Sequence, residues 1–285
     1  MSYLLSSIIF IVYYLERLGF GGVLRRSIYL ILFYIIGYRT QIVIKNLKII
    51  LPHIKIEEIE KYKKSYYNHL ADLIVETLWC YKATREELDH KVSFKNPDLI
   101  DQIFKSGDNI SILLSHIGNW ELFCQWAGKF TPQFRVPILY TPIKNKMLNA
   151  SLSYLRERTG NTLVSTKSTL DLYRLQRVKP AAINLFAIDQ NPGDPDHQLW
   201  LSFFGQKVPV ISGAEKFVKS QSQKAYFLYV TKKENYEIEL IELSYDKEIP
   251  FDLTEKQFKM LEANILENPS IWLLSHNRFK YSKHV

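Results

Sequence analysis

An α/β fold, with a mostly parallel central sheet flanked by helices, is predicted by two features of the chain. Two apolar runs, ISILLS (110–115) and RVPILY (135–140), have the continuous hydrophobicity of strands that a parallel sheet buries on both faces. Between them lies a helical segment, Trp120 to Lys129, so strand, helix and strand follow one another as in a right-handed crossover. The 285 residues suffice for one large domain with a sizeable core.

The first element is apolar, running from Tyr3 to Leu15 and stopped by Glu16 and Arg17. A second run, SIYLILFYIIGY, follows Arg25 and Arg26. Each is shorter than the ~20 residues that cross a bilayer straight through. Neither the positive start nor the small-residue cleavage site of a signal peptide flanks the first run. Three arrangements fit: a pair of interfacial helices, one tilted and imperfect span, or two ordinary buried helices. Aromatics among the aliphatics and arginines at the ends favour membrane attachment, with Arg17, Arg25, Arg26 and Arg39 towards an anionic cytoplasmic leaflet. The expected organisation is therefore a membrane-attachment segment, 1–37, and a single catalytic-size domain, 38–285.

From Lys55 the period becomes helical, with Ile59, Tyr62, Tyr66, Leu70, Ile74 and Leu78 on one face. VSFKN (92–96) predicts a short strand and residues 97–105 a short helix. After the 110–140 unit, LSYLRERTG (152–160) predicts a helix closed by Gly160. TLVS, a helix near 167–178 and AAINLFAID repeat the alternation. AYFLYVTKKENYEIELIEL predicts an antiparallel hairpin turning at Glu234-Asn235, and TEKQFKMLEANILENP a capped helix ended by Pro269.

Net charge is +8, which points to anionic partners: nucleic acid, an acidic carrier protein or a phospholipid surface. The basic residues are dispersed and no nucleic-acid-binding pattern occurs, so nucleic acid is not expected as a partner. Two cysteines, Cys80 and Cys124, make neither a disulfide framework nor a metal spacing and read as core thiols.

The chemistry-bearing stretch is SILLSHIGNWELF (111–123). His116 stands where the strand ends, the edge at which open α/β sheets gather ligands. Gly118 permits a tight turn, Asn119 is a helix N-cap, and Glu121 falls in the first helical turn. That turn can fold His116 back so that one ring nitrogen meets the Glu121 carboxylate, leaving the other to take a proton as an oriented general base. No zinc-protease pair of histidines and no Gly-x-Ser-x-Gly elbow offers another route. Cys124 lies among Leu122, Phe123 and Trp126, apolar surroundings that suppress a thiolate.

HIGNWE resembles the H-x-x-x-x-D/E box of the lysophospholipid acyltransferase-like superfamily, and in detail that of the late acyltransferases of lipid A biosynthesis. Further stretches resemble the same family in order: YRTQIVIKNLKIILP (38–52), the helix carrying Glu76, AIDQNPG (187–193), LSFFGQKVPVISG (201–213) and PSIWLLSHNRFK (269–280). The chain departs from it after FFG, where QKVPVISGAEKFVK replaces a more usual alanine and threonine-glycine step. The arginine of the family's basic helix matches either Arg156 or Arg158.

The resemblance implies a glycerolipid acyltransferase-like fold with N-terminal membrane-attachment helices. It also implies transfer of a fatty acyl chain from acyl-carrier protein or acyl-CoA to a hydroxyl of a lipid acceptor similar to a lipid A precursor. His116 and Glu121 are the expected catalytic residues, with the oxyanion held near Gly118 and Asn119. Arg156 or Arg158 would bind an anionic group, and Asp189 with Gln190 would bind acceptor or support an arginine. Phe204 would line an acyl pocket, and His276 and Arg278 would either contact substrate or close the fold. No metal or cofactor is implied. The location implied is the cytoplasmic face of a bacterial inner membrane. Alternatives are acylation of an aminolipid or lysophospholipid, a lipase-like hydrolase, or a non-catalytic lipid-binding protein.

Overall fold

The computed structural model describes residues 3–196 and 198–284. Its strands in chain order are β1 (Val92–Phe94), β2 (Ile110–Leu114), β3 (Pro137–Tyr140), β4 (Thr162–Ser165), β5 (Ile183–Ala187), β6 (Leu199–Phe203), β7 (Gln206–Val210), β8 (Lys224–Lys232), β9 (Tyr236–Glu242) and β10 (Lys283–His284). The main sheet has the order β1-β9-β8-β2-β5-β3-β4, and β10-β7-β6 form a small second sheet. From β8 to β4 every pairing is parallel; β9 returns from β8 as the predicted hairpin.

All five residues of β2 are buried, which is why its sequence shows no polar alternation. Phe123 and Trp126 of the helix Trp120–Ala127 cover one face with Ile112, Leu114 and Leu185. On the opposite face Phe217, from the helix Gly213–Gln221, meets Phe186 of β5. The crossover from β2 to β3 skips one place in the sheet, and β5 fills it. That insertion creates the site, because β5 brings the 187–193 loop alongside His116.

The helix Ile56–Cys80, the short strand β1 and the helices Pro97–Ser106 and Thr169–Leu175 form close to where the sequence places them, whereas the helix expected at 152–160 begins six residues earlier, at Lys146 after the cap Asn145, and ends at Glu157. The helix Asp252–Glu267 begins two residues before Thr254, so this threonine is no cap; its hydroxyl donates to buried Glu215 instead. The FFG stretch had no assigned element in the sequence. It is the β6–β7 hairpin, turning at Phe204 and Gly205, both at positive φ.

The N-terminal residues form the helices Tyr3–Arg17 and Gly21–Leu30, the latter continuing as a π-helical Ile31–Ile36, and then Thr40–Ile50. They dock on Ile56–Cys80 through Ile9, Tyr13, Tyr29, Val43 and Leu47, and Arg25 joins Glu16 and Asp72 in an ion-pair network. Among the described residues no single helix is long and apolar enough to cross a membrane. The pair Gly21–Ile36 and Thr40–Ile50 passes that test together but is bent by 97°.

His69, on the Ile56–Cys80 helix, is buried beside the backbone of Gly118 and Ile271 with neither ring nitrogen in hydrogen-bonding geometry. Burial, with the charge of Lys232 acting in the same direction, pushes its pKa down to about 3. An unfolded histidine titrates near 6.5. As pH falls below about 6.5 the unfolded chain takes up a proton that the folded chain refuses, so folding stability drops by about 1.4 kcal/mol per pH unit from this residue. His276, held at about 4 chiefly by burial, works in the same direction. Thermal midpoints are expected to fall steeply as pH drops from neutral to about 4, and His69→Leu is expected to flatten that slope.

Candidate active site

Strand β2 ends at Leu114, paired in register with Ala187 of β5. Two residues beyond each partner lie His116 and Asp189. The parallel register thus sets these side chains opposite one another. His116 Nδ1 lies 2.6 Å from Asp189 Oδ1, and the His116 backbone N–H donates to Oδ2 at 3.1 Å. Trp272 Nε1–H donates to the same Oδ2 at 3.0 Å. Burial alone would raise the pKa of Asp189, but the charge of His116 and these three donors hold it at about 2. The carboxylate is therefore ionised throughout the physiological range.

With Nδ1–H donated to Asp189, Nε2 carries the lone pair. It faces the crevice 3.0 Å from Gln190 Nε2, while the ring packs edgewise on Trp120 with centroids 4.7 Å apart. The turn beneath is tightly specified. Gly118 has φ +66°, and a Cβ there would stand 2.9 Å from Tyr236 Cε1, so both backbone and space demand glycine. Asn119 caps the helix by accepting from Leu122 N–H, and its Nδ2 donates to buried Glu76. Tyr236 O–H donates to that same carboxylate oxygen. Segment 271–273 straps the turn from outside: Gly118 N–H donates to Ile271 O and Leu273 N–H to His116 O.

The expected contact between His116 and Glu121 is not made. Glu121 starts a helix whose side chain turns towards Lys146–Glu157, where Arg156 holds it in a fork, Nε to Oε2 at 2.9 Å and Nη2 to Oε1 at 2.5 Å. Burial alone would lower the Arg156 pKa, and the Glu121 carboxylate more than reverses this. The carboxylate on the His116 ring is that of Asp189 instead, and among the described residues no arginine pairs with Asp189. Gly118 is not a free oxyanion donor either, since its N–H is already committed to Ile271.

Arg158 lies outside this cluster, donating to Ala83 O at 2.7 Å and weakly to Gln125. Arg156→Ala would leave Glu121 a lone buried charge and is expected to cost about 3–5 kcal/mol. Arg158→Ala loses about 1 kcal/mol, read as a lower thermal midpoint, with kcat/KM unchanged. Arg278 is wholly buried between the rings of Phe203 and Phe258 and donates to Asn191 Oδ1 and Pro209 O; burial pulls its pKa down to about 10. His276 accepts from Asn191 N–H at 3.4 Å. Both thus brace the loop after β5, the fold-closing alternative. Phe204 sits in the β6–β7 turn, with contacts to Phe203 and Glu262 rather than to the His116 turn.

Sequence reasoning missed Trp272 and Asn191 as partners of the site, although both fall within motifs it singled out. It also missed Tyr236, whose hydroxyl only the β8–β9 hairpin brings to Glu76. Cys124 is buried and its thiol is pushed up to about 12, mainly by burial and then by Glu121, which removes it as a nucleophile at neutral pH.

No curated protein matches the chain. The family described as bacterial lipid A biosynthesis acyltransferase matches it over residues 26–281, a stretch that contains the parallel sheet, the His116 turn, Asp189 and the strap that carries Trp272. With a match across far more than half its length, the chain belongs to the bacterial lipid A biosynthesis acyltransferase family and is an acyltransferase.

Proposed function

We propose that the protein transfers a fatty acyl chain from the thioester of acyl-carrier protein or acyl-CoA to a hydroxyl of a lipid A precursor-like acceptor, at the cytoplasmic face of a bacterial inner membrane. The observation that carries the mechanism is the 2.6 Å contact between His116 Nδ1 and Asp189 Oδ1. It supports the tautomer whose Nε2 can remove the acceptor's hydroxyl proton as the oxygen attacks the thioester carbonyl. The thiolate then leaves and takes up the proton from His116, so no covalent enzyme intermediate is needed. Gln190 occupies the lone pair until the hydroxyl replaces it. Glu121 holds Arg156 through Nε and Nη2, which supports a reading in which Nη1 meets negative charge on the donor or acceptor.

Membrane attachment is supported by the outer side of the N-terminal helices, which exposes Leu4, Phe10, Ile11, Leu18, Phe20, Val23, Tyr34, Ile35 and Ile36. The reading is tested by incubating wild-type and His116→Ala protein with bacterial lipid extract and labelled acyl-carrier protein, then identifying products by mass spectrometry. A labelled lipid made only by the wild type is expected. Free fatty acid without acylated lipid would favour hydrolysis, and equal products from both proteins would remove His116 as the base.

A further inference from the structure

We propose that residues 141–154 form a second, site-adjacent contact with the bilayer, a rigid prong that dips into an anionic lipid surface beside the acceptor's entrance. The inference rests on the membrane-bound reading above but concerns a different part of the chain. The segment follows β3, so it leaves the sheet at the same carboxyl edge as His116. The helix Lys146–Glu157 is anchored only by its later turns: the Ser151 hydroxyl meets Tyr81 O–H at 2.7 Å, Leu155 is fully buried, and Arg156 grips Glu121. Five residues of helix separate Lys146 from Ser151, the first of these anchors, about 7.5 Å along the axis. The first turns therefore stand clear of the body.

This free end carries Ile143, just before the helix, and Met147 and Leu148, which are 39%, 58% and 46% exposed. The prong is not a loose loop. Asn145 caps the helix by accepting from Leu148 N–H, and Asn149 accepts from Ile143 N–H at 2.8 Å. Its charge is unusual for a helix start, where acidic residues are favoured by the dipole. Here the first turn has none, and Lys144 and Lys146 stand exposed among the apolar side chains. Apolar tips with flanking lysines match an anionic lipid surface, which takes up the side chains and attracts the ammonium groups.

The prong is also continuous with the N-terminal apolar side. Tyr154, 57% exposed, stacks on Tyr81 with centroids 6.3 Å apart. The next residue, Lys82, lies 5.4 Å over the ring of Phe10, itself 51% exposed on the first helix. One aromatic and cationic path thus joins Tyr154, on the same helix as Met147, to the helices proposed to attach the protein. An enzyme whose family acts on a lipid acceptor gains from this second contact, because it seats the crevice against the surface that presents the substrate.

The two native cysteines are buried, so a single introduced surface cysteine can be labelled selectively in the full chain. Three variants, Met147→Cys, Ile35→Cys and Glu248→Cys, are labelled with an environment-sensitive fluorophore and mixed with phosphatidylethanolamine–phosphatidylglycerol vesicles. Blue-shifted emission, quenched by nitroxide-labelled lipid, is expected at positions 147 and 35 and not at 248. Lys144→Glu with Lys146→Glu is expected to weaken the response at 147 about five-fold per lysine on these anionic vesicles, and much less on phosphatidylcholine. A response at 35 without one at 147 overturns the prong and leaves N-terminal attachment standing. A response at 147 alone upholds the prong and moves the main attachment site. Silence at both positions overturns both readings. A shift at 147 on adding acyl-CoA without vesicles would make the segment a lid, and one that grows with protein concentration would make it an interface between two copies; either overturns the bilayer contact.

Discussion

His116→Ala is expected to lower kcat for acyl transfer by about 10²- to 10⁴-fold, the range over which a positioned general base contributes. Two aspects of the site make this variant informative. The imidazole is the group whose Nε2 faces the crevice, so its removal takes away the proton acceptor and leaves Asp189, Trp272 and the strap in place. Folding should suffer little, because the backbone N–H of residue 116 keeps its bond to Asp189 and the carbonyl keeps Leu273. The expected signature is a fall in kcat with little change in KM and a thermal midpoint near that of the wild type. A variant with wild-type kcat would show that the proton leaves by another route.

Asp189→Asn is expected to cost almost as much, about 10³- to 10⁴-fold in kcat, by forcing the wrong tautomer. The geometry leaves the new amide little choice. Two donors, the His116 N–H and Trp272 Nε1–H, converge on the position of Oδ2, so the amide oxygen must occupy it. The amide N–H₂ then points at His116 Nδ1, which becomes an acceptor, and the ring proton moves to Nε2. A protonated Nε2 cannot take the acceptor's proton. The tautomer is directly measurable from the ring ¹⁵N shifts of His116. If those shifts stay unchanged in the variant, Asp189 does not orient the ring. The native carboxylate, held at about 2, also means that acid inactivation above that pH does not come from neutralising Asp189.

Much of this was legible in the chain. The buried run Ile110–Leu114, the helix Ile56–Cys80 and the β8–β9 hairpin follow from local period and propensity. The turn was legible for the same reason, since Gly118 and Asn119 act on their immediate neighbours. The N-terminal helices were legible as helices, yet the docking of Phe33 and Tyr38 against Tyr67 was not, because an apolar run looks alike in a core and in a membrane. The β6–β7 hairpin was missed: its positive-φ turn uses Phe204 before Gly205, and a phenylalanine gives no turn signal.

The spacing of His116 and Glu121 misled because both carboxylates available to the site are distant from what their neighbours in sequence suggest. Glu121 is one residue inside a helix, and helical rotation carries its side chain sideways to Arg156, 35 residues on. Asp189 is 73 residues from His116 and meets it only because β5 enters the sheet beside β2 in register. By itself, then, the sequence determined the helices, most of the strands and the tight turn that carries His116. Those depend on interactions within a few residues. Which carboxylate meets His116, the Arg156 fork and the buried contacts of Arg278 were decided by the tertiary structure, because strand order and register arise from packing the whole sheet and leave no local trace.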